Sequence, residues 1–429
     1  MEEALPHARL LEIHRERGNG DVVEIANSAV VGRTSLNSDV GDICPPVETA
    51  SAGGDGFAAL TAVAAGRWRE LAECAVEPNG YYLPGWELAV NASAQGRTGV
   101  SALSAWNSPS AADGTARLIG LIPAISLWRA YRIPLPALAN ADPYGTLGTP
   151  LLDRNAAGDA VTALLAEARR AGAHALVLRN VALDGAAMKA VGQVLRQAGL
   201  RARVLQSRMR ACLDATRDSD VLLREALGAK KLKELRRQRH RLAEHGAVHF
   251  DVARTPEEVA CAIETFLTLE ASGWKGKRGT ALAQHDGDAS FARRASIALA
   301  EVGQCEIVSL RAGDTPVAAG IVLRHQDRAF YFKLGVDERF AKFSPGVQLT
   351  LDLTRHLCAD PAIATADSTA GADHPMINPI WRGRFAIGDV VIPLRRNDPV
   401  VTLIVAAMRL RGRTREIARR AVRAIRGRR

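Results

Sequence analysis

The sequence predicts a mixed α/β protein with two related units in tandem, and three observations lead to this conclusion. The chain has 429 residues, which suits two or three domains, and 47% of them are hydrophobic, enough to fill their cores. Helix-like amphipathic segments and short apolar strands alternate along most of the chain. The same order also occurs twice: a helix that reaches a tryptophan, a meander of strands, then strand, helix and strand. We therefore expect two related α/β domains rather than one large sheet.

The first domain is predicted over residues 57–215. Residues 1–56 are expected to form a flexible tail and linker, because residues 26–56 are rich in Gly, Ser, Pro and Asp and show no periodicity. A helix-like segment that carries Trp68 opens the domain. The segments after it are predicted as strands at 86–90, 100–106 and 116–125, helices at 159–171 and 185–198, and strands at 175–181 and 202–209.

The second domain is predicted over residues 216–396 and begins with a strongly basic helix at 222–244. Two interpretations of this helix stay open: a solvated helix packed by its leucines, or a contact for nucleic acid. A later helix is expected to start at Pro256 and stop at Gly273. The remaining segments are predicted as a strand at 248–253, a helix at 290–303, three strands within 305–336, a helix from 347, a strand at 362–368 and an irregular arm ending in DVVIPL.

Charge is divided unevenly along the chain. The net charge is +10, from 56 Lys and Arg against 46 Asp and Glu, yet residues 409–429 hold ten Arg and one acid, Glu416. The tail therefore carries +9 and the other 408 residues carry +1. A dedicated DNA-binding protein normally has its basic surface on the fold itself. The pattern therefore argues against nucleic acid as a partner.

Cysteine usage and hydropathy predict the compartment. The six cysteines are scattered, with no C-x-x-C pair and no His at zinc-like spacing, which indicates thiols in a reducing compartment and no metal site. The first twenty residues lack the apolar core of a secretory signal. The apolar run at 400–408 is about half the length that a spanning helix needs. We expect a cytoplasmic protein that could be peripheral on the inner face of the membrane.

The most informative motif is a strand, a basic loop and a helix start within residues 331–357. The loop and the first helical turn carry Arg339, Lys342, Ser344, Pro345, Gly346 and Val347. A helix start offers unbonded amides and a positive dipole end, which suit a phosphate or pyrophosphate, and a glycine permits close approach. An ordinary turn capped by Ser344 is the alternative.

Four stretches of the second half resemble one known family. They are LEASGWKGKRGTAL, the strands after it, the loop ERFAKFSPGVQL and the closing DSTAGADHPMINPIW. Together they look like the CelD-type cellulose-biosynthesis acetyltransferases, of the GNAT superfamily of acyl-CoA-dependent N-acyltransferases. The similarity covers residues 222 to about 395. It implies two tandem GNAT-like acyltransferase domains, acyl-CoA as the co-substrate, no metal and a place in polysaccharide biosynthesis.

The resemblance also implies where the donor binds. In GNAT folds the loop after the fourth strand holds the CoA pyrophosphate through backbone amides, usually with an Arg/Gln-x-x-Gly-x-Gly/Ala pattern. The matching loop here runs from Arg339 to Gly346, with Ser344, Pro345 and Gly346 in its second half. The corresponding region of the first domain is Pro-rich and lacks such a basic loop. We expect that domain to be degenerate for cofactor binding and to shape the cleft.

A base is needed because the acceptor amine must lose a proton as it attacks a thioester. His374 is the first candidate, with Asp373 beside it and Asp367 seven residues earlier. Its alternative role is a structural hydrogen-bonding group before a proline. Glu270 is the second candidate, with a surface pairing to Lys275 or Lys277 as its alternative. Trp274, Lys275, Asp367 and Trp381 are expected to contact the substrate, although the two tryptophans could equally belong to the core.

The predicted function is transfer of an acyl group from acyl-CoA or another acyl thioester to an amine. The acceptor is expected to be a sugar, a polysaccharide precursor or an amino-lipid. Two rivals remain: a FemAB-like transferase that uses aminoacyl-tRNA, and a non-catalytic accessory protein of exopolysaccharide synthesis. The sequence does not choose among acyl chain lengths or acceptors.

The C-terminal tail, residues 397–429, is predicted to be a basic amphipathic helix. Ile417, Ala418, Ala421, Val422 and Ile425 fall on one face and the arginines on the other. This pattern is typical of a helix that lies on anionic lipid. A solvated tail and an RNA contact are the alternatives.

Overall fold

A single mixed sheet runs through the protein, of which the computed structural model describes residues 57–94, 99–107 and 116–426. Its strands are β1 (Phe57–Ala59), β2 (Ser101–Trp106), β3 (Leu118–Ser126), β4 (Ala137–Asn140), β5 (Leu151–Leu152), β6 (Ala175–Ala182), β7 (Arg203–Asp214), β8 (Val248–Ala253), β9 (Cys305–Ala312), β10 (Thr315–His325), β11 (Arg328–Val336), β12 (Thr365–Asp367) and β13 (Gly383–Pro393). Across the sheet the order is β1-β2-β3-β4-β6-β13-β7-β12-β11-β10-β9-β8, and β5 pairs with β3. The prediction of two separate sheets is therefore wrong.

Helices cover both faces of this sheet. They are α1 (Ala65–Glu73), α2 (Pro84–Ser93), α3 (Leu127–Tyr131), α4 (Ala157–Arg170), α5 (Ala186–Gln197), α6 (Ser219–Leu242), α7 (Pro256–Ser272), α8 (Trp274–Lys277), α9 (Asp286–Ala300), α10 (Pro345–Ala359) and α11 (Pro399–Arg426). No helix among the described residues is long and apolar enough to cross a membrane. The predicted tail and linker at residues 1–56 lie outside the described residues.

β13 joins the two halves into one sheet. It pairs antiparallel with β6 on one side and with β7 on the other. The segment was expected to be an irregular arm, but its residues Ile387 and Val390 to Pro393 are buried, and a buried backbone needs ladder partners. Burial in the middle of a sheet therefore makes this segment a strand.

The predicted strand at 86–90 is part of a helix, α2. Pro84 occupies the first helical turn, where its fixed φ favours a helix and its missing amide costs nothing. Trp86, Ala89 and Val90 are buried, at the spacing of one helical face. The apolar residues of this segment follow a helical period, which cannot be recognised within the five residues 86–90 alone.

The two halves also share a core. Trp86 of α2 stands edge-on to Phe291 of α9 and to Phe332 of β11, with ring centroids 4.9 and 4.8 Å apart. Tyr81 contacts Phe330 of β11 in the same way at 5.8 Å. Aromatic contacts of this kind bury large areas and hold the halves together. The expected boundary at residues 215 and 216 falls between β7 and α6. β7 belongs to the first half, but its neighbours in the sheet, β13 and β12, belong to the second, so the sheet is continuous across this boundary.

Candidate functional site

An unpaired stretch of strand edge lies at the end of β11. β11 pairs with β10 along its length, but parallel β12 pairs with it only at Arg328–Phe330. No strand among the described residues covers that edge from Tyr331 to Val336. Side chains reach three of its carbonyls: the Thr369 hydroxyl donates to Tyr331 O at 2.6 Å and lies 3.4 Å from Phe332 O, and Lys275 Nζ lies 3.4 Å from Leu334 O. An extended ligand could therefore pair with this edge as an added strand.

The start of α10 adjoins this edge. A short 3-10 helix, Glu338–Phe343, leads to Ser344, whose φ of 53° is left-handed and turns the chain into Pro345. The amide of Gln348 bonds to the Ser344 carbonyl at 3.0 Å, whereas the amides of Gly346 and Val347 have no acceptor among the described residues. Ser344 makes no side-chain cap, so the alternative of an ordinary turn capped by Ser344 is wrong. Two amides at the positive end of a helix dipole suit an anion.

Gly346 is buried beneath these amides. A Cβ there would lie 3.0 Å from Leu334 Cδ2, 3.1 Å from Val336 Cγ1 and 3.5 Å from Met376 Sδ. The glycine therefore lets α10 start directly against β11 and brings the 371–378 loop over the helix start. The predicted donor-binding residues and the predicted base thus belong to one region of the fold.

The two basic residues of the loop differ in their partners. Asp337 accepts hydrogen bonds from Arg339 Nε at 3.0 Å and Nη2 at 2.7 Å, and these bonds lower the pKa of Asp337. Lys342 lies over the Phe343 ring at 4.8 Å and has no carboxylate partner among the described residues. Lys342 is therefore the cation of this loop whose charge is not already neutralised.

A buried cluster of charges lies on the opposite face of β11. Glu270 of α7 accepts from Lys275 Nζ at 2.9 Å and from the Leu282 amide at 3.0 Å, and Lys333 Nζ lies 3.4 Å away. Burial alone would raise the pKa of Glu270, but Lys333 and Lys275 lower it to about 2. A carboxylate with that pKa is a weak base near neutral pH. The geometry therefore does not support Glu270 as the base.

Lys333 was missed by the sequence analysis. Its side chain is 9% exposed, and burial lowers its pKa, opposed by the charge of Glu270. The signal was present in the run YFKLGV, where one charged residue interrupts an otherwise apolar strand. Buried lysines that keep a carboxylate partner are common at reactive centres, because water does not screen their charge there.

His374 lies on the loop above the start of α10, and its ring is turned toward the backbone. Nδ1 accepts long hydrogen bonds from the amides of Met376 and Ile377, both at 3.4 Å. These bonds turn the Nδ1 lone pair toward the backbone, so in a neutral ring the proton lies on Nε2, which then has no lone pair to accept another proton. Asp373 is exposed, at a left-handed φ of 56°. The arrangement does not favour His374 as a base in this orientation.

The residues expected to contact substrate do not converge. Asp367 is 1% exposed and pairs with equally buried Arg210 at 3.1 Å. Trp381 is fully buried, and its Nε1 donates to Thr354 Oγ1 at 2.9 Å, so it belongs to the core. Lys275 reaches the unpaired edge of β11 at Leu334 O, while the Trp274 side chain lies outside what the structure describes. No cluster among the described residues could hold a metal ion.

Comparison with known proteins identifies the type of fold. Residues 229–374, from within α6 to His374, match the family model described as an acetyltransferase (GNAT) domain. FemX is 12% identical, with 80% of this chain and 98% of that chain covered and a TM-score of 0.53. Residues 229–374 thus match a GNAT domain, and the chain as a whole has a mixed α/β fold similar to that of FemX. No curated protein matches the sequence.

Two further solved structures align over much of the chain. L-PGS from Bacillus licheniformis is 13% identical, with 71% of this chain and 88% of that chain covered and a TM-score of 0.42. A tandem GNAT protein from the clavulanic acid biosynthesis pathway is 16% identical, with 80% and 99% covered and a TM-score of 0.38. At these values neither likeness supports a conclusion about this chain.

Proposed function

We propose that this protein is an acyltransferase that moves an acyl group from an acyl thioester, such as acyl-CoA, to the amine of an acceptor. One observation carries the proposal: the unpaired edge of β11 runs directly into the open helix start at Gly346 and Val347. The match of residues 229–374 to a GNAT acetyltransferase domain supports it. As acceptor we propose a sugar, a polysaccharide precursor or an amino-lipid, in line with the CelD-type resemblance.

The two features fit the two parts of the donor. The pyrophosphate would bind the amides of Gly346 and Val347, with Lys342 at the rim. The amide-bearing arm would then lie along β11 as an added strand, from Val336 back toward Tyr331. This direction brings the thioester close to the strand position of Lys333. The donor-binding loop predicted from the sequence is thus kept in the proposal, with the edge of β11 added to it.

The transfer itself needs positioning and charge more than a covalent intermediate. The amine nitrogen attacks the thioester carbonyl carbon, the new C–N bond forms, the C–S bond breaks, and the proton that the amine loses ends on the leaving thiolate, which departs as the free thiol. Negative charge develops on the carbonyl oxygen as the nitrogen attacks. A fixed, buried ammonium can stabilise that charge by roughly 3 to 4 kcal/mol. Lys333, held by Glu270, is the residue that we assign to this task.

The proposal is tested by titrating the full chain with CoA and following the heat. Wild-type protein should bind, and Lys342→Glu should weaken binding by about tenfold, because it places a negative charge beside the phosphates. Lys189→Glu, a charge reversal in α5 of the other half, is the matched control and should leave CoA affinity unchanged. Absence of CoA binding by wild-type protein would overturn the proposal. CoA binding without turnover of any amine would favour the non-catalytic accessory role.

A second candidate, an aminoacyl-tRNA-dependent transferase, is favoured by a pocket beside α10. Gly228 has a non-helical φ of 72° and bends α6 into an elbow, and a partly open pocket of about 120 Å³ lies between α6 and α10. Arg224, Arg236, Arg239 and Arg355 line the pocket. Arg224 and Arg236 have no carboxylate partner among the described residues. Binding of tRNA that weakens steeply with salt and is lost in R224E/R236E, in a protein that ignores CoA, would favour this candidate.

A further inference from the structure

The first turns of α11 fix the C-terminal helix to the protein body. Asp398, just before the helix, accepts from His174 at 2.6 Å. Four side chains on one face of the helix are buried in the shared core: Val401, Ile404, Val405 and Met408. One turn further, Arg411 stacks on Tyr131 of α3 at 4.7 Å. The segment from 397 was expected to be a tail, but its first half is docked, and this sets the direction of the rest.

An exposed apolar stripe runs along the opposite face of α11. Leu403, Leu410 and Ile417 are 57%, 63% and 66% exposed. They are seven residues apart, so their directions differ by only about 20° from one to the next. Leu403 is two residues from Val401, which places it about 200° round the helix from the docked face. Small residues fill the same face between them, namely Ala406, Ala407, Thr414, Ala418 and Ala421.

Arginines flank this stripe on both sides. Arg409, Arg413 and Arg420 lie along one side of it, and Arg411 and Arg415 along the other, as their helical positions require. Arg420 pairs with Glu416 at 2.9 Å, and Glu416 is the one acid in the ten-arginine segment 409–429. Apolar side chains bordered by two cationic rows suit an interface whose surface is anionic and whose interior is apolar.

An exposed tryptophan lies on the helix that adjoins α11. Trp128 of α3 is 50% exposed, three residues before the Tyr131 that Arg411 covers. Arg132 stacks against the Trp128 ring at 5.5 Å. Tryptophan with a neighbouring cation is enriched where proteins meet the headgroup region of a bilayer. The feature is independent of the tail, because it belongs to the first half of the chain.

We infer that α11 binds an anionic lipid bilayer lengthwise, with the Leu403, Leu410 and Ile417 stripe in the acyl boundary and the arginines at the headgroups. A second copy of the chain is the poorer occupant, because two tails of +9 each would repel one another along the contact. A nucleic acid would use the arginines but leave the apolar stripe in water. The lipid surface alone satisfies both.

The test uses full-length protein and sedimentation with vesicles. Wild-type protein should bind vesicles of phosphatidylglycerol and phosphatidylcholine at low salt, and should not bind phosphatidylcholine alone. L410E/I417E should weaken binding by about tenfold or more, since it removes apolar contacts and adds negative charge. V302E is the matched control, because Val302 is also about half exposed, at 49%, but lies after α9. Its binding should equal that of wild type.

Three results would overturn the inference. The first is wild-type protein that ignores anionic vesicles at low salt. The second is L410E/I417E that binds as tightly as V302E, which would leave only a solvated basic tail. The third is a dimer in sedimentation velocity without lipid that L410E/I417E dissociates, which would assign the stripe to a second copy. Trp128→Phe adds a spectroscopic check: without the Trp128 side chain, most of the blue shift in tryptophan fluorescence on vesicle binding should disappear.

Discussion

The two halves contain the same strand, helix and strand corner, and the two corners end differently. In the first half β4 and β6 are parallel neighbours over Ala137–Ala139, and in the second half β11 and β12 are parallel neighbours over Arg328–Phe330. Beyond three paired residues both strand pairs separate. The first opening is filled by the chain itself, whereas no strand among the described residues fills the second. One fold element therefore serves as a closed core in one half and as an open edge in the other.

The connector length explains how the first opening is filled. Sixteen residues separate β4 from α4, against eight between β11 and α10. The longer connector folds back: the Gly148 amide donates to Asn180 O at 3.1 Å, and Thr149 Oγ1 accepts from the Ala182 amide at 3.0 Å. These bonds use backbone groups of β6 that an added strand would need. We propose on this ground that the first half does not bind a donor.

A second contrast concerns two buried glutamates, one in each half. Glu270 of α7 is held by Lys275 and Lys333, and its pKa falls to about 2. Glu87 of α2 is fully buried, and neither carboxyl oxygen has a hydrogen-bond partner. Burial, with Asp142 nearby, raises the pKa of Glu87 well above its ordinary value. The surroundings of Glu270 in the second half favour its ionised form, whereas the surroundings of Glu87 in the first half favour its protonated form.

The largest expected effect is on the rate of acyl transfer. Lys333→Met should lower kcat by roughly 10² to 10³, because it removes the buried charge beside the open edge of β11, while CoA affinity changes little. Steady-state kinetics with calorimetric titration of CoA separates the two quantities. Thermal unfolding checks that the variant is folded. A folded K333M protein with an unchanged kcat would return Lys333 to a purely structural pairing with Glu270.

A smaller effect is expected from comparing two glycines, one in each corner. A Cβ at Gly148 would lie 2.3 Å from the backbone oxygen of Arg179, which cannot yield easily, so Gly148→Ala should cost about 2 to 3 kcal/mol. A Cβ at Gly346 would meet only side chains, at 3.0 Å or more, so Gly346→Ala should cost about 1 kcal/mol. Urea unfolding measures both. Equal costs would contradict the view that the first corner alone is closed by backbone.

The smallest effect concerns Glu87 and depends on pH. In the folded protein its raised pKa keeps the carboxyl protonated, while in the unfolded chain it ionises above its ordinary value of 4.5. The contribution of Glu87 to the free energy of unfolding is therefore complete below pH 4.5 and is lost as the pH rises above that value. Glu87→Gln should be more stable than wild type by about 1 to 2 kcal/mol at about pH 8 and by less at about pH 5.

The matched control for this comparison is Glu73→Gln, at an exposed position of α1. Urea unfolding at the two pH values should show no pH-dependent gain for it. An E87Q gain that is equal at both pH values would mean that the Glu87 carboxyl is already ionised in the folded protein.

Much of the local structure was readable from the sequence. Pro256 and the Thr255 and Glu258 side chains begin α7 with a capping box, and the apolar period of α10 gave its length. The open helix start was also predicted from local pattern, because a basic loop that ends in Pro345 and Gly346 indicates a helix start with unbonded amides. These features depend on residues only a few positions apart in the chain, so a local sequence pattern is enough to predict them.

Tertiary structure alone decided the sheet and the chemistry of the site. Pairing of β13 with β6 and β7 joins residues about two hundred positions apart, and no local period encodes that choice. The partners of the buried carboxyl groups are also set by the tertiary structure. Asp367 pairs with Arg210 and Glu270 pairs with Lys333, whereas the carboxyl oxygens of Glu87 have no hydrogen-bond partner. The pKa of a carboxyl group follows from its burial and its partners in space. The pKa values of Glu270 and Glu87 therefore shift in opposite directions only when the chain has folded.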